Sequence, residues 1–228
     1  MRVTTCVFDA YGTLFDVSAA ARAAAAEPAC AAIAESWPAL AATWRDAQLR
    51  YTWLRAAAGV HADFWSVTRD ALGHALETHA LADPALRDRL LQLYWELAPF
   101  PEVAGTLRAL REAGQRTAIL SNASPEMLRA AVASAGIGDD LDLLLSAEQV
   151  GVFKPDHRVY GLVEAAFGVA RREVLFASSN GWDAWAGTSF GFRTVWVNRA
   201  GAPAERLTTP PEHVRRDLSE LPALVAAL

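Results

Sequence analysis

A short apolar run near the start of the chain ends abruptly at an acidic residue, in the stretch Thr4-Thr5-Cys6-Val7-Phe8-Asp9-Ala10-Tyr11-Gly12-Thr13-Leu14. Its first residues are apolar or β-branched, which is typical of a short buried strand. Asp9 follows this strand directly, and the turn at Tyr11 to Thr13 ends it. A carboxylate at this place lies where a buried sheet opens to solvent. Asp9 can therefore serve as a capping acceptor, a metal ligand or a nucleophile.

The C-terminal half of the chain alternates between strand-like and helical patterns. Strands are predicted over residues 116–120, 141–145, 173–177 and 194–198. Helices are predicted over residues 103–113, 125–135, 156–167 and 182–189, with a further helix at the C-terminus. Alternation of this kind implies a parallel sheet with right-handed crossover connections.

Residues 16–98 have helical periodicity and no convincing strand. Helices are predicted over 63–78 and 84–98. An earlier helix has one apolar face, made at helical spacing by Leu40, Trp44, Ala47, Tyr51, Leu54 and Ala58. We therefore predict an α/β core domain over 1–15 and 99–228, with a helical domain over 16–98 inserted after the first strand.

The composition narrows the class of protein. With 228 residues, 53% of them hydrophobic, and a net charge of −5, the chain can fold around a core and lacks the basic field of a nucleic-acid binder. Two cysteines are too few for a disulfide framework, and Cys6 is predicted to be a buried free thiol. Neither a signal peptide nor an apolar run of the roughly 20 residues that a membrane helix needs is visible. We therefore expect a cytoplasmic protein with no nucleic-acid or membrane partner.

Polar side chains follow four of the five predicted strands. They are Asp9 after the first, Ser121 and Asn122 after the second, Ser178, Ser179 and Asn180 after the fourth, and Asn198 and Arg199 after the fifth. Ligands bind beyond the carboxyl ends of the strands in an open parallel sheet, so several of these groups are expected to converge on one crevice. Any one of them alone is equally well explained as a turn former or helix cap.

Lys154 is the one lysine among the 21 basic residues, and it precedes a predicted helix. Its compact charge and three donors suit a carboxylate that must stay ionised while partly desolvated, as a nucleophilic Asp9 would be. A solvated surface lysine is the alternative. Arg45 lies in an apolar helical stripe with Leu49. It is either a snorkelling side chain or a desolvated guanidinium that faces an anion.

Several stretches together resemble the haloacid dehalogenase superfamily, and closely its L-2-haloacid dehalogenase branch. The four motifs are Asp9-Ala10-Tyr11-Gly12-Thr13-Leu14, Ile119-Leu120-Ser121-Asn122, Val152-Phe153-Lys154-Pro155 with Tyr160, and Phe176-Ala177-Ser178-Ser179-Asn180-Gly181-Trp182-Asp183. Residues 44–55 resemble the cap motif of that branch. The resemblance covers nearly the whole chain. It implies an α/β fold with a Rossmannoid three-layer core, a parallel sheet and a helical cap inserted after the first strand.

Two positions depart from the phosphatases that form most of this superfamily. Phosphatases carry an aspartate general acid where this chain has Tyr11, and a further acid in the fourth motif where it has Ser179. Mg²⁺ prefers carboxylate ligands, whereas a departing halide needs neither a metal ion nor a proton. The resemblance therefore implies a metal-independent dehalogenase without a cofactor. A Mg²⁺-dependent small-molecule phosphatase is the alternative, and a non-catalytic member is a third interpretation.

The implied reaction converts short 2-haloalkanoic acids into 2-hydroxy acids with inversion at C2, through a covalent ester on Asp9. The residues with implied catalytic roles are Asp9, Lys154, Asp183, Arg45, Asn180, Ser178, Tyr160 and Thr13. In this scheme Lys154 keeps Asp9 ionised. Tyr160 and Ser178 are expected to orient Lys154. Asp183 and Asn180 are expected to position or deprotonate the water that hydrolyses the ester.

The residues with implied substrate-binding roles are Ala10, Tyr11, Ser121, Asn122, Leu49, Phe64 and Trp182. Ser121 and the turn N–H groups that follow Asp9 are expected to hold the substrate carboxylate. Arg45, Asn122 and Trp182 are expected to cradle the departing halide. The partners are thus a small anionic 2-haloacid and its halide product.

Two further expectations concern pocket size and assembly. Phe64, Trp65 and Trp185 are expected to narrow the pocket, which favours two- and three-carbon acids and makes fluoroacetate a substrate hypothesis. The resemblance also implies a homodimer, with the Ala- and Trp-rich insertion as a candidate apolar interface.

The stretch Gly187-Thr188-Ser189-Phe190-Gly191 matches the pentapeptide of serine hydrolases. That motif requires a strand before it and a helix after it. Here a helix is predicted before it and a strand after it, so we reject a serine nucleophile at this place.

Overall fold

The computed structural model describes residues 2–228, and within them six strands form one parallel sheet in the order β3-β2-β1-β4-β5-β6. The strands are β1 (Thr5–Phe8), β2 (Arg116–Ser121), β3 (Leu143–Ser146), β4 (Val174–Ser178), β5 (Arg193–Val197) and β6 (His213–Arg215). Every residue of β1 and β4 is buried. This explains their continuous apolar sequences, because a parallel sheet is covered on both faces.

Helices surround this sheet and also fill the segment between β1 and β2. They are α1 (Ala19–Ala25), α2 (Trp37–Ala58), α3 (Phe64–Thr78), α4 (Pro84–Tyr94), α5 (Val103–Glu112), α6 (Pro125–Ala135), α7 (His157–Phe167), α8 (Gly181–Phe190) and α9 (Leu221–Ala227). The predicted α/β class, the parallel sheet and the helical insertion after the first strand are therefore confirmed.

Element boundaries differ from the predictions by two residues or more at two places, and by one residue at several others. The helix predicted over 84–98 ends at Tyr94, because the chain then turns back to the core, where the carbonyl of Ala98 accepts a hydrogen bond from the N–H of Asp16. The strand predicted from residue 141 begins at Leu143. A short 3₁₀ turn over Gly138–Asp140 precedes it.

The short edge strand β6 was not predicted. It has three residues, and Val214 at its centre is 50% exposed. A strand this short at the edge of a sheet lacks the run of apolar residues that identifies a buried strand.

Helix α2 carries the predicted apolar face over its first turns only. Leu40, Trp44 and Ala47 are buried, whereas Leu54 is 58% exposed. Helix α2 packs on α3, and Arg55 in its last turn still pairs with Asp70 of α3 across 3.2 Å before Gly59 ends the helix with a positive φ. Helix α2 places Arg45 over the carboxyl end of β1.

Both cysteines are free and buried, as predicted for Cys6. Burial raises the pKa of the Cys6 thiol to about 12, so this side chain behaves as an apolar group. Across residues 2–228, every helix falls short of the length and apolar character that a bilayer span requires.

Candidate active site

The ammonium group of Lys154 lies between two carboxylates at the carboxyl end of the sheet. Its Nζ donates to Oδ1 of Asp9 across 3.1 Å and to Oδ2 of Asp183 across 2.9 Å. The side chain of Lys154 is 1% exposed, that of Asp9 is 9% exposed and that of Asp183 is fully buried. Three charges in such a dry place are stable only as a paired group. Lys154 is therefore a buried ion-pair partner and not a solvated surface lysine.

Burial and charge act in opposite directions on this group. Burial lowers the pKa of Lys154, but the charges of Asp183 and Asp9 outweigh it, so the pKa lies above the ordinary lysine value. Burial is also the largest effect on Asp183 and raises its pKa above the ordinary aspartate value. The nearby charge of Asp9 raises it further, and Lys154 opposes the shift. Lys154 thus stays charged across the neutral range.

Asp9 accepts hydrogen bonds from three side chains. Besides Lys154, the hydroxyl of Thr13 donates to Oδ2 across 3.0 Å, and Nδ2 of Asn180 donates to the same oxygen across 3.1 Å. Donors of this kind stabilise an ionised carboxylate and fix its orientation. Three of the residues expected to be catalytic thus converge on Asp9.

The turn that follows Asp9 is tied to its own backbone. The carbonyl of Ala10 accepts the N–H groups of Thr13, Leu14 and Phe15. Gly12 has a φ of +94°, and a Cβ at this position would lie 3.0 Å from Oγ of Ser179. Only glycine meets both requirements without strain.

The N–H groups of Ala10 and Tyr11 donate no backbone hydrogen bond within the described chain. They follow Asp9 directly and are therefore available as donors to an anion beside it.

Tyr160 contacts Asp183 instead of Asp9. Its hydroxyl donates to Oδ1 of Asp183 across 2.5 Å. Burial, followed by the charge of Asp183, raises the pKa of Tyr160 well above the ordinary tyrosine value, so the phenol remains a donor. The oxygen of Ser178 accepts the N–H of Asn180 across 3.2 Å. Both residues were expected to orient Lys154; their hydrogen bonds go instead to Asp183 and Asn180.

A cavity of about 20 Å³ lies above the carboxyl end of β1. This volume is close to that of a single water molecule, so helices α2 and α3 nearly close the site. Its lining residues are Asp9, Tyr11, Arg45, Leu49, Phe64, Ser121, Asn122, Lys154, Asn180 and Trp182. Asp183 is not among them; its two oxygens bond to Lys154, which does line the cavity, and to Tyr160.

Arg45 extends from α2 into this cavity and is fixed on two sides. One guanidinium nitrogen donates to Oε1 of Gln48 across 2.8 Å, and the other donates to the carbonyl of Tyr11 across 3.1 Å. Arg45 therefore points towards the site instead of snorkelling to solvent. It is the cationic donor that faces the cavity from the helical side.

The remaining walls of the cavity combine polar and apolar groups. Ser121 accepts the N–H of Ala123, and Oδ1 of Asn122 accepts the N–H of Lys154 across 2.8 Å, which ties the loop after β2 to the loop before α7. The Trp182 ring packs edge-on against Trp53, with ring centroids 5.3 Å apart.

Within the described chain, the buried indole nitrogen of Trp182 has no hydrogen-bond partner. Because Trp182 lines the cavity, this N–H is a donor available to a bound ligand.

Two expected pocket residues lie elsewhere. Trp65 packs against Trp95, with ring centroids 4.7 Å apart, and neither Trp65 nor Trp185 lines the cavity. The prediction that these two residues narrow the pocket is therefore wrong, whereas Phe64 does line it. Neighbouring positions on one helix point in different directions, so Phe64 and Trp65 cannot both face the site.

Two polar groups that follow the fifth predicted strand also fall outside the cavity. Asn198 bonds to the backbone of Ala202. Arg199 donates to the carbonyl of Thr13 across 2.8 Å and pairs with Glu102. Arg199 therefore stabilises the turn after Asp9 from outside the cavity.

The sequence reasoning missed Gln48 and Tyr94. Gln48 is 1% exposed and contacts Arg45, Thr68 and Tyr94. The ring of Tyr94 stacks on that of Tyr11, with centroids 5.5 Å apart. The available signal was a glutamine three residues after Arg45, on the side of α2 that also carries apolar residues.

The serine pentapeptide is part of the fold and not a site. Residues 187–191 lie at the end of α8, and β5 follows them. A Cβ on Gly187 would come within 2.7 Å of the Phe176 ring, so this glycine permits close packing of helix on sheet. The rejection of a serine nucleophile at this place is confirmed.

Comparison with known proteins places the chain in a family. Residues 3–191 match the family model of haloacid dehalogenase-like hydrolases. The (S)-2-haloacid dehalogenase 1 of Pseudomonas sp. (strain CBS-3) is 43% identical over 99% of this chain and 98% of its own length. The (S)-2-haloacid dehalogenase 4A of Burkholderia cepacia is 44% identical over 97% of this chain and 94% of its own length.

A solved structure shows the same similarity in three dimensions. The L-2-haloacid dehalogenase of Xanthobacter autotrophicus with chloropropionic acid covalently bound is 38% identical and has a TM-score of 0.89, with full coverage of both chains. The chain is thus a hydrolase of the haloacid dehalogenase-like family and belongs to its L-2-haloacid dehalogenase branch.

Proposed function

We propose that this protein hydrolyses short 2-haloalkanoic acids, namely haloacetates and (S)-2-halopropionates, to 2-hydroxy acids through an ester on Asp9, with inversion where C2 is a stereocentre. The observation that carries the proposal is the Asp9 carboxylate, which Lys154, Thr13 and Asn180 orient at the base of a small cavity with Arg45 on the opposite side. The names of the relatives, (S)-2-haloacid dehalogenases, support the same reaction.

The first step is a displacement at C2. An oxygen of Asp9 attacks C2 from the face opposite the halogen, a C–O bond forms, and the C–halogen bond breaks with its electron pair leaving as halide. No proton is needed. Lys154 maintains Asp9 as the carboxylate, and the close, fixed orientation of nucleophile and substrate supplies much of the acceleration.

The substrate carboxylate binds beside the nucleophile. Ser121 and the N–H groups of Ala10 and Tyr11 donate to it, since these two backbone donors have no partner in the described chain. Leu49 and Phe64 enclose the carbon chain and limit its length.

The halide forms on the helical side of the cavity. Arg45, Asn122 and the indole N–H of Trp182 are the donors that face it. Donors fixed before the reaction stabilise charge as it develops, at no cost of reorganisation.

The second step hydrolyses the ester. Water attacks the carbonyl carbon of Asp9, and one of its protons passes to Asp183. The bond between that carbon and the substrate oxygen then breaks, and the leaving alkoxide takes up the proton from Asp183. The second proton of the water is released to solvent, which restores the Asp9 carboxylate. Asn180 lines the cavity and holds the water, while Asp183 lies behind Lys154. The product hydroxyl therefore contains an oxygen that came from Asp9.

The reaction is proposed to need no metal ion. Both oxygens of Asp183 are engaged, one by Lys154 and one by Tyr160, and Asp183 does not line the cavity. Across residues 2–228, no group of three or more His, Cys, Asp or Glu side chains is placed to hold a metal ion. The donor set therefore does not fit a Mg²⁺ site of the phosphatase type, which gathers several carboxylates at one point.

We also propose that residues 16–98 act as a cap domain on a core of 1–15 and 99–228, in a cytoplasmic homodimer. The exposed side chains of Trp53, Leu54 and Val60 support an apolar contact at the end of α2. Sedimentation of the wild type and of Leu54→Asp tests the dimer. A wild type that sediments as a monomer would contradict it.

The experiment for the proposed reaction is halide release from racemic 2-chloropropionate in EDTA, with chiral analysis of the lactate. The expected result is chloride release, one enantiomer of lactate, and half of the substrate left unreacted. The phosphatase alternative predicts a different result: no halide release, and release of phosphate from phosphate esters that EDTA abolishes and Mg²⁺ restores.

A further inference from the structure

Gln48 is a polar residue buried inside the helical insertion, one turn beyond Arg45. It is 1% exposed, and its side-chain amide forms hydrogen bonds with one residue on each of three helices. These residues are Arg45 on α2, Thr68 on α3 and Tyr94 on α4. A buried amide without hydrogen-bond partners destabilises the folded state, so Gln48 is tolerated here only because its amide is paired. Those partners determine what it does.

The orientation of the amide is dictated by its neighbours. Thr68 donates its hydroxyl hydrogen to the carbonyl of Phe64 across 2.8 Å, so its oxygen must accept from Nε2 of Gln48, also at 2.8 Å. Oε1 of Gln48 then faces Arg45, which can only donate. The hydrogen bonds thus run in one direction, from Arg45 through Gln48 to the first turn of α3.

Tyr94 completes the support. Its hydroxyl lies 3.0 Å from Nε2 and 3.3 Å from Oε1 of Gln48, and its ring stacks on Tyr11. Tyr11 in turn accepts a hydrogen bond from Arg45 through its carbonyl. Arg45, Gln48, Tyr94 and Tyr11 therefore form a closed ring of contacts between the helical insertion and the turn after Asp9.

We propose that Gln48, supported by Tyr94, is a positioning residue that sets the place of the Arg45 guanidinium and thereby the affinity of the site for the departing halide. This inference rests on the proposed function. Gln48 does not line the cavity and touches no reacting atom; it acts only through Arg45. Gln48 holds the guanidinium through a side-chain hydrogen bond of 2.8 Å, and the backbone carbonyl of Tyr11 holds it at 3.1 Å.

The test is Gln48→Met, which keeps the length of the side chain and removes both polar atoms. Because a hydrogen bond to a charged group is worth about tenfold or more, kcat should fall and the inhibition constant of bromide should rise, each by about tenfold. An inhibition constant does not depend on the fraction of active protein. Mere loss of folded enzyme would therefore leave it unchanged.

The chain offers a matched control. Gln92 on α4 accepts a hydrogen bond from Arg89 across 3.0 Å, which is the same pairing three residues apart on a helix, but on the exposed surface. Gln92→Met should leave kcat and the bromide constant unchanged. Tyr94→Phe, which removes only a hydroxyl, should change both constants in the direction of Gln48→Met and serves if that variant does not fold.

The same substitution made in an Arg45→Lys variant shows whether Gln48 acts only through Arg45 or directly on the halide. In Arg45→Lys, where the guanidinium is gone, Gln48→Met should have little further effect on the bromide constant. Full additivity of the two changes, or an unchanged bromide constant in both Gln48→Met and Tyr94→Phe, would overturn the inference. Failure of the wild type to release halide would instead contradict the proposed function.

Discussion

Nζ of Lys154 lies 3.1 Å from Oδ1 of Asp9, although the two residues are 145 positions apart in the chain. The sheet explains this contact, because Asp9 follows β1 and the loop of Lys154 follows β3 on the same side of it. Asp183 holds the other side of the ammonium group across 2.9 Å. Lys154 is thus the shared partner of the proposed nucleophile and of the proposed acceptor of the water's proton.

Replacement of Lys154 by arginine keeps the charge but should still reduce kcat. The side chain is 1% exposed and lies over the Phe176 ring, so a larger planar group cannot place its charge between both carboxylates. A misplaced buried ion pair costs several kcal/mol, so we expect a loss of about 10²-fold or more in halide release. Near-normal turnover in Lys154→Arg would refute the specific need for an ammonium group.

Lys154→Met should also destabilise the fold, by about 3–5 kcal/mol, because it leaves two buried carboxylates uncompensated. Urea unfolding at neutral pH measures this. The double variant Lys154→Met/Asp183→Asn removes one of the two charges and should recover part of the loss. If it is as unstable as Lys154→Met, charge is not the cause.

Tyr160→Phe should shift the acidic limb of the pH–kcat profile to higher pH. The hydrogen bond from Tyr160 lowers the pKa of Asp183, which burial raises, so its removal raises that pKa further. If Asp183 must be ionised to accept a proton, activity is lost as the pH falls through its pKa, and that loss now begins at a higher pH. Tyr51→Phe on the outer part of α2 is the control, and a limb that stays in place in Tyr160→Phe would argue against Asp183 as the proton acceptor.

Phe64→Ala should broaden the range of substrates, because Phe64 lines the cavity. The ratio of kcat/KM for 2-bromohexanoate to that for 2-chloropropionate should rise by about tenfold or more, since a single methylene group in an apolar pocket already discriminates by about that factor. The neighbouring Trp65→Phe is the matched control, since Trp65 packs on Trp95 away from the cavity. A change of the same size in both variants would mean that the effect comes from loosening of α3.

Much of the fold follows from local patterns. β1 and β4 are buried, largely apolar runs, and the motif residues Asp9, Lys154 and Asn180 follow the carboxyl ends of β1, β3 and β4, so these three side chains could be placed together from the sequence. The ends of β3 and α4 and the edge strand β6 could not, because they depend on contacts with distant segments and not on their own sequence. Position 12 also depends on a distant segment, because a side chain there would come within 3.0 Å of Oγ of Ser179.

The site was predictable to the level of residues but not of contacts. The partner of Tyr160 depends on how α7 packs on α8, which no spacing reveals. Gln48 was not singled out, because a polar residue beside apolar ones on a helix is usually exposed. Its role became visible only when Thr68, Tyr94 and Arg45 were brought around it by α3 and α4.

The most direct test of the central claim, an ester on Asp9, is a single turnover in H₂¹⁸O with enzyme in excess over 2-chloropropionate. The ester route predicts unlabelled lactate in the first turnover and one ¹⁸O atom in the peptide that contains Asp9, both measured by mass spectrometry. Direct attack of water on C2 would give labelled lactate and an unlabelled Asp9 peptide, and that result would contradict the account.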